Sequence, residues 1–211
     1  MSNLYVQYGC GLSSPTEWQN FDASPTLRLQ KIPFMGIISR RKMNFPSHIK
    51  YGNILKKLPG IKLNSCDGIY CSHVLEHLTL TDCRKALLNT FNYMKSGGTF
   101  RFVVPDLEYS LLEYMKNLKV NPEEASIEFL KVTMLGIEKS PDSIYQFLIS
   151  VFGNSHHLWM WDQYSLRNEL NKIGFINIRK CSFNDSNNKM FQLVEEPSRF
   201  VGAVSFEAVK P

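Results

Sequence analysis

The first half of the chain alternates short apolar runs with helix-like segments. Runs rich in β-branched and aromatic residues are typical of buried strands. Five such runs precede residue 106, at residues 4–8 (LYVQY), 19–22 (QNFD), 48–52 (HIKYG), 66–72 (CDGIYCS) and 99–104 (TFRFVV). Thr79 and Asp82 have the spacing of a capping box, which predicts the start of a helix. The glycines of Ser-Gly-Gly at residues 96–98 predict its end. Strands that alternate with helices favour a parallel sheet with helices on its faces.

The pattern becomes helical after residue 106. Two segments, residues 121–124 (NPEE) and 140–142 (SPD), each place a capping side chain before a proline and acidic residues, which is typical of a helix start. The segment is too long for a single crossover between strands. We therefore predict a helical insertion after the fifth strand.

The last fifty residues return to the sheet pattern. Residues 162–175 read as an amphipathic helix that Gly174 ends, and residues 176–183 and 199–209 read as two strands. These two strands follow one another without a predicted helix, which favours an antiparallel pair at the sheet edge. We expect residues 1–211 to form a single α/β domain.

Composition narrows the class of protein only moderately. The chain has 211 residues and a net charge of +5, which permits a phosphate-bearing partner without requiring one. The basic run at residues 40–42 (RRK) is interpreted as a solvated loop rather than a membrane or nucleic-acid contact. No apolar run reaches the ~20 residues of a membrane span, and no secretory leader is evident. Five cysteines without C-x-x-C spacing predict reduced, buried thiols, so a cytoplasmic location is expected.

A glycine pair and an acidic residue mark a possible nucleotide site. Gly9 and Gly11 directly follow the first predicted strand, where the backbone of an open parallel sheet turns tightly beside its ligand. Asp22 ends the second predicted strand, where a carboxylate can accept both hydroxyls of a ribose. The glycine pair alone fits a plain turn equally well.

Residues 73–77 spell His-x-x-Glu-His, which is also the signature of one class of zinc proteases. A zinc site would need a third ligand from another part of the chain and a glutamate free to act as base. The motif falls where a strand leaves the sheet, and a protease would leave Gly9, Gly11 and Asp22 without a role. We therefore expect no metal. Glu76 and His77 are interpreted either as a satisfied polar pair at a helix start or as catalytic groups.

Together these features resemble the class I S-adenosylmethionine-dependent methyltransferases. The resemblance rests on YVQYGCG, WQNFDAS, CDGIYCSHVLEHL, FRFVVPDLE and HLWMWDQYSLRNELNKIGF, and it is greatest to the type-11 branch, the predicted methyltransferases of surface polysaccharide clusters. It implies a Rossmann-like, doubly wound, seven-stranded sheet whose last strand is antiparallel. Because only ten residues separate Gly11 from Asp22, the first helix is expected to be shortened or missing. No helices precede the first strand, so residues 107–160 are expected to act as the lid.

The resemblance also implies the cofactor, S-adenosyl-L-methionine, and its product S-adenosyl-L-homocysteine. Gly9 and Gly11 would pass under the methionine and ribose, Asp22 would bind the ribose hydroxyls, and Asn53 would lie beside the adenine. The full set of cofactor-binding residues implied is Tyr8, Gly9, Cys10, Gly11, Asp22, Ala23, Asn53, Ile54, Ser72 and His73. Asn53 stands where the family more often has aspartate, but an amide oxygen can also accept from the adenine amino group.

His157 is the candidate general base that the resemblance implies. A hydroxyl or amine acceptor must lose a proton on methylation, and histidine suits that task near neutral pH. His73 and His77 are the alternatives. Phe152, Trp159 and Trp161 are expected either to wall the acceptor pocket or to pack in the core.

The leading hypothesis is O- or N-methylation of a small molecule or a saccharide. A non-catalytic module that binds S-adenosylmethionine is the first alternative. Nucleic-acid methylation is disfavoured because no Asn/Asp-Pro-Pro-Tyr motif is visible. A nicotinamide dehydrogenase is disfavoured because Ser14 replaces the third glycine of Gly-x-Gly-x-x-Gly. The acceptor, the pathway and the oligomeric state do not follow from the sequence.

Overall fold

The computed structural model describes residues 3–32, 44–139 and 156–211. These residues form one seven-stranded sheet with the strand order β3-β2-β1-β4-β5-β7-β6. Its strands are β1 (Tyr5–Tyr8), β2 (Gln19–Asp22), β3 (Lys50–Tyr51), β4 (Cys66–Ser72), β5 (Met94–Pro105), β6 (Ile176–Lys180) and β7 (Ala203–Val209). β7 runs antiparallel to both of its neighbours, while β1 to β5 pair in parallel. The predicted architecture with an antiparallel last strand is confirmed.

Five α-helices accompany the sheet in the described part of the chain. They are α1 (Pro25–Gln30), α2 (Leu80–Tyr93), α3 (Leu107–Val120), α4 (Ala125–Val132) and α5 (Gln163–Ile173). Short 3₁₀ helices span Leu75–His77, Lys189–Leu193 and Pro197–Phe200. Among these residues, no helix combines the length and the apolar character that crossing a membrane requires.

Two helix boundaries differ from their predictions. α2 starts as expected, with the Thr79 hydroxyl accepting from the Asp82 N–H, but it ends at Tyr93, because Met94 is extended and pairs with Cys66 of β4. Asn121 closes α3 by donating its N–H to the Asn117 carbonyl, so it does not cap the next helix. The second predicted start, at residues 140–142, lies outside the described residues, as does the basic run at 40–42.

One face of the sheet is covered by α2 and α5. Leu87 of α2 and Leu166 of α5 are fully buried, and both belong to one cluster with Phe100 and Phe206 of the sheet. Burial of this cluster stabilises the fold by about 25 cal/mol per Å² of apolar surface removed from water. It fixes α2, and with it the chain that leaves β4, against the sheet.

The opposite face has no α-helix between β1 and β2, as expected for a missing first helix. Residues 9–18 form turns, and Trp18 packs against Tyr5 and Phe191 instead. The Trp18 indole N–H donates to the Met190 carbonyl at 3.1 Å. The 3₁₀ helix at Lys189–Leu193 thus covers the part of this face that a helix between β1 and β2 would otherwise cover.

Arg101 of β5 is fully buried on this second face. Its guanidinium donates to the carboxylates of Glu195, Asp185 at 2.8 Å and Glu207 at 3.2 Å, and to the Ser182 carbonyl at 2.6 Å. Burial lowers the pKa of Arg101, but the carboxylates outweigh burial and hold that pKa above its ordinary value. Three carboxylates around one cation fasten residues 181–195 and β7 to the sheet.

Candidate functional site

A cavity of about 450 Å³ opens at the carboxyl ends of β1, β2 and β4. Ligands of open α/β sheets bind at this edge. Eight of the ten predicted cofactor residues line the cavity: Tyr8, Gly9, Gly11, Asp22, Ala23, Asn53, Ile54 and His73.

Cys10 and Ser72 do not line the cavity. The Cys10 side chain is buried with Leu27, Phe45 and Ile49 in a small separate cluster. Glycines with positive φ on both sides of Cys10 turn its side chain away from the cavity that they line. The Ser72 hydroxyl is buried and has no hydrogen-bond partner among the described residues. Position in the sequence placed both residues at the site, but their side chains point elsewhere.

The turn after β1 depends on its two glycines. Gly9 has φ +66°, and a Cβ atom there would overlap the side chain of Val74, at the exit of β4. Gly11 has φ +56°, and nothing lies within 4 Å of the place where its Cβ would be. The first glycine therefore allows two loops to pack, and the second leaves its backbone open to the cavity.

Asp22 is held in place before any ligand arrives. Its Oδ2 accepts from the Gly11 N–H at 3.0 Å and its Oδ1 from the Ser24 N–H at 2.7 Å. The residue is 7% exposed, and it lines the cavity. Since each carboxylate oxygen can accept more than one hydrogen bond, the group can still receive hydroxyl donors from the cavity.

Asn53 lines the same cavity. Its amide oxygen accepts from the Leu55 N–H at 2.8 Å, which forms a tight local turn. The neighbouring Gly52 N–H donates to the Asp22 carbonyl at 3.1 Å. The turn therefore fixes Asn53 relative to β2 and leaves its amide oxygen one further lone pair.

His73 stands at the junction where β4 leaves the sheet, with φ +53°. Its Nε2 lies 3.0 Å from the Arg199 carbonyl, and its Nδ1 lies 3.2 Å from Oε1 of Glu76. Burial lowers the pKa of His73, but the carboxylate of Glu76 outweighs burial and raises that pKa above 6.5. His73 is thus tied on both of its ring nitrogens.

His77 belongs to the 3₁₀ helix and lines the cavity. Its Nδ1 lies 3.0 Å from the His156 carbonyl, so this nitrogen donates, and in the neutral ring Nε2 is then the acceptor. His73 and His77 therefore do not share the face of one α-helix, as the zinc-protease motif would require.

His157 reaches the same cluster from a distant part of the chain. Its ring lies 4.9 Å from the His77 ring, and its Nε2 lies 4.0 Å from Oε1 of Glu76. Burial is the main cause that lowers the pKa of His157 below 6.5. His77 and His73 lower it further, whereas the carboxylate of Glu76 raises it. His157 does not line the cavity, whereas the adjacent Leu158 does.

Backbone hydrogen bonds dock this distant segment onto the motif. The Leu158 and Trp159 N–H groups both donate to the Glu76 carbonyl, at 2.7 and 3.1 Å. Trp161 is 2% exposed and packs in the core, while Trp159 is 40% exposed. Neither tryptophan lines the cavity, and Phe152 lies outside the described residues.

Glu76 differs from the satisfied polar residue of the sequence interpretation. Its side chain is 1% exposed, and neither carboxylate oxygen has a hydrogen-bond partner within the described part of the chain. His157 Nδ1 is also buried without a partner there. The sequence signal was the His-x-x-Glu-His spacing itself, but nothing local showed that a histidine eighty residues away would join it.

The predicted lid contributes little to the cavity where the structure describes it. Leu158 is the residue of the described parts of 107–160 that lines the cavity. α3 instead lines a separate groove of about 300 Å³ with Asp162 and Tyr164. Residues 140–155 lie outside the described residues.

No family model matches the chain. No curated protein matches it either. Solved structures do match over nearly its whole length.

A methyltransferase dependent on S-adenosylmethionine from Archaeoglobus fulgidus has a TM-score of 0.52 at 16% identity, covering 99% of this chain and 86% of that one. A possible histamine N-methyltransferase from Thermotoga maritima has a TM-score of 0.51 at 16% identity, covering 100% and 84%. Phosphoethanolamine N-methyltransferase 2 of Haemonchus contortus, solved with S-adenosylmethionine, has a TM-score of 0.51 at 12% identity, covering 100% of this chain and 49% of that one. The chain has the fold of the class I S-adenosylmethionine-dependent methyltransferases.

Proposed function

We propose that the protein is an S-adenosylmethionine-dependent methyltransferase that acts on a small-molecule or saccharide acceptor. The observation that carries this proposal is the carboxylate of Asp22. It lies at the end of β2, is oriented by two backbone N–H groups, and lines a cavity at the ligand-binding edge of the sheet. The fold of the matched methyltransferases supports the same conclusion.

The residues of the cavity fit this cofactor. Gly11 leaves open backbone beside Asp22, where a ribose and its methionine chain need close approach. Asp22 would accept the ribose hydroxyls, and Asn53 and Ile54 would flank the adenine. When bound, S-adenosylmethionine supplies an electrophilic methyl group on a sulfonium.

The protein's part in methyl transfer is to orient the acceptor and to help it lose a proton. Orientation alone contributes a large share of the rate acceleration, because an acceptor bound next to the methyl donor reacts in an effectively unimolecular step. The acceptor's proton would leave at the cluster of His73, His77 and His157. His77 is the member with a ring nitrogen free to accept and a side chain on the cavity wall, and His157 stands behind it.

Titration calorimetry with S-adenosylmethionine tests the cofactor assignment. Asp22→Ala should weaken binding by about 2–3 kcal/mol, or roughly 30- to 150-fold, because charge-assisted hydrogen bonds to the ribose are lost. Glu17→Gln is the matched control, since Glu17 lies on the same β1–β2 connection but outside the cavity. Equal affinity in wild type and a normally folded Asp22→Ala variant would refute the ribose assignment.

A turnover assay with hydroxyl and amine acceptors, saccharides included, then separates the enzyme from a binding module. Production of S-adenosylhomocysteine that depends on an acceptor supports the enzyme. Tight cofactor binding without turnover on any acceptor would favour the non-catalytic module.

A further inference from the structure

The cluster beside the cavity has the composition of a metal site. Glu76, His77 and His157 each offer one ligand atom, and these atoms lie within 4.8 Å of one another. We propose that these three residues bind a first-row divalent transition metal ion such as Zn²⁺. Two imidazoles and one carboxylate form a donor set common in catalytic zinc sites, and they leave at least one coordination position open.

The first argument is the state of Glu76. A carboxylate buried without donors is strongly unfavourable, and such groups are paired or bound to metals in folded proteins. Neither oxygen of Glu76 has a hydrogen-bond partner among the described residues. Nδ1 of His73 lies 3.2 Å from Oε1, but it does not reach Oε2. A metal cation held by Glu76, His77 and His157 would bind the carboxylate oxygen that His73 leaves without a partner.

The second argument is the orientation of His77. Metal-binding histidines usually donate the other ring N–H to a carboxylate or a backbone carbonyl, which fixes the ring and its tautomer. The His156 carbonyl, 3.0 Å from Nδ1, has this role for His77. In the neutral ring, this contact leaves the lone pair on Nε2 of His77.

The third argument is that the ligands come from two segments that are already locked together. The N–H groups of Leu158 and Trp159 donate to the carbonyl of Glu76, so His157 is held beside the 3₁₀ helix by backbone contacts. Ligand atoms bound to zinc at about 2.0–2.2 Å lie roughly 3.3–3.6 Å apart in a tetrahedral site. Starting from a separation of 4.8 Å, side-chain rotations must close about 1.2–1.5 Å to reach that spacing.

Imidazole nitrogens also indicate which ions suit the site. Zn²⁺ and its first-row neighbours bind nitrogen ligands well, whereas Mg²⁺ and Ca²⁺ prefer sites made of oxygen. The arrangement is not that of a zinc protease, because Glu76 would be a ligand rather than a base and His73 is bound to the Arg199 carbonyl. This proposal departs from the sequence-based expectation of no metal, since the third ligand, His157, lies far away in the sequence.

The role of the ion rests on the proposed function. His77 lines the cavity, so an ion bound to it can also bind the hydroxyl oxygen of an acceptor. A bound divalent ion lowers the pKa of that hydroxyl, as it does for bound water. With the ion bound, His77 and His157 would be ligands and could not take up the proton. The acceptor's O–H bond would then break with its proton passing to water, and the oxygen would keep the electron pair that forms the new bond to the methyl group. The ion does not change its oxidation state.

The test measures metal binding without cofactor or acceptor. The full-length protein is freed of metal with a chelator, dialysed, and titrated with Zn²⁺. We expect one Zn²⁺ per chain and a higher melting temperature in its presence. Glu76→Gln and His157→Ala should each weaken binding more than the roughly 10- to 100-fold typical of losing an outer contact.

His156→Ala is the matched control, because it removes a neighbouring histidine side chain but keeps the carbonyl that orients His77. It should bind Zn²⁺ like the wild type. S-adenosylmethionine affinity, measured on the same samples, reports whether each variant is folded. It also separates a failed metal proposal from a failed methyltransferase proposal.

Three results would overturn the metal site. One is a folded wild type that binds no Zn²⁺, and another is Zn²⁺ bound equally well by wild type and both ligand variants. The third result comes from NMR of the histidine rings in the wild type, which replaces the variants if they do not fold. Zn²⁺ should shift the ring nitrogens of His77 and His157 and leave those of His48 unchanged, and a reversed pattern excludes the site.

Discussion

Two fully buried carboxylates, Glu195 and Glu76, stand in opposite electrostatic situations. Glu195 meets the guanidinium of Arg101, which also binds Asp185 and Glu207. Glu76 has three histidines around it but no hydrogen bond to either oxygen among the described residues. The first cluster is closed, because each of its carboxylates forms an ion pair with the Arg101 guanidinium. The second is open, because Oε2 of Glu76 has no hydrogen-bond partner within the described part of the chain and only histidines lie near Oε1.

This difference separates stability from function. A buried ion network whose members are all paired holds elements together, and removing one member exposes the others to an uncompensated cost. A buried group left without a partner costs stability and persists where a ligand or a reaction needs it. The open cluster lies beside the cavity, and the closed one lies on the face of the sheet that the Lys189–Leu193 helix covers.

Replacing His157 should have the largest effect on activity. With an accepted substrate, His157→Ala should lower turnover by roughly 10²–10⁴-fold, because the histidine cluster that takes up the acceptor's proton loses the ring that lies behind His77. S-adenosylmethionine affinity should stay nearly constant, since His157 does not line the cavity. Steady-state kinetics and calorimetry measure the two quantities.

The contrasting outcomes for His157 are distinct. Loss of cofactor binding would make His157 a structural link between the 156–159 segment and the motif. Unchanged turnover would mean that His73 or His77 accepts the proton without His157, or that methyl transfer depends on orientation of the acceptor alone. His156→Ala serves as the control in both measurements.

Breaking the closed cluster should have the largest effect on stability. Arg101→Met should lower the free energy of unfolding by about 3–5 kcal/mol, because three carboxylates lose their shared cation. Arg179→Met is the control, since Arg179 bonds to Asp185 and Glu207 from a partly exposed position. It should cost about 1 kcal/mol or less. Equal costs for both in denaturant unfolding would contradict the closed-cluster interpretation.

A third ion pair sharpens the comparison through pH. Glu169 of α5 accepts from Arg84 of α2, and this partner outweighs burial to lower the pKa of Glu169 from 4.5 to about 2. The pair therefore stabilises the fold above pH 4.5, and that contribution disappears as the pH falls toward 2.

Glu169→Gln should accordingly cost about 1–2 kcal/mol at pH 7, since solvent at the exposed Arg84 screens the pair. The difference from wild type should shrink between pH 4.5 and pH 2. Unfolding curves across this range measure it. A difference that stays constant with pH would show that the side chain contributes by packing alone.

The smallest expected effect concerns the predicted lid. α3 has no buried residue, so its amides should exchange hydrogen faster than those of β4 and β5 in the free protein. If residues 107–160 cover the site, α3 and α4 should become slower when S-adenosylmethionine binds. Hydrogen exchange with and without cofactor measures this, and α5 provides an internal control. Unchanged exchange in α3 and α4 would remove them from the lid.

Local patterns predicted much of the fold because they are written in neighbouring residues. The bounds of β2 and β4 match their apolar runs, and Gly174 ends α5 in the left-handed conformation that glycine favours. The predicted start at Asn121 is wrong, because the same residue types also close a helix and the preceding helix takes Asn121 first. β3 keeps only two of its five predicted residues, Lys50 and Tyr51, which pair with Phe21 and Asp22 of β2.

The site was predictable where it depends on chain position and not where it depends on distant contacts. Asp22 and Gly11 follow strands, so their place at the sheet edge follows from topology. That Cys10 and Ser72 do not line the cavity was not predicted: two left-handed glycines turn the Cys10 side chain away, and the Ser72 hydroxyl is buried. The same holds for the approach of His157 to Glu76, which joins residues about eighty positions apart.

The contact between Gly9 and Val74 has a consequence for sequence change. The space that a side chain at position 9 would need is filled by the side chain at position 74. The two positions are thus expected to vary together in relatives, and a larger residue at position 9 is expected to fail unless position 74 changes with it. Randomising the loop after β1 alone would discard nearly every variant with a larger residue at position 9. Its positive φ narrows the choice further, so a productive library holds Gly9 fixed and varies Val74.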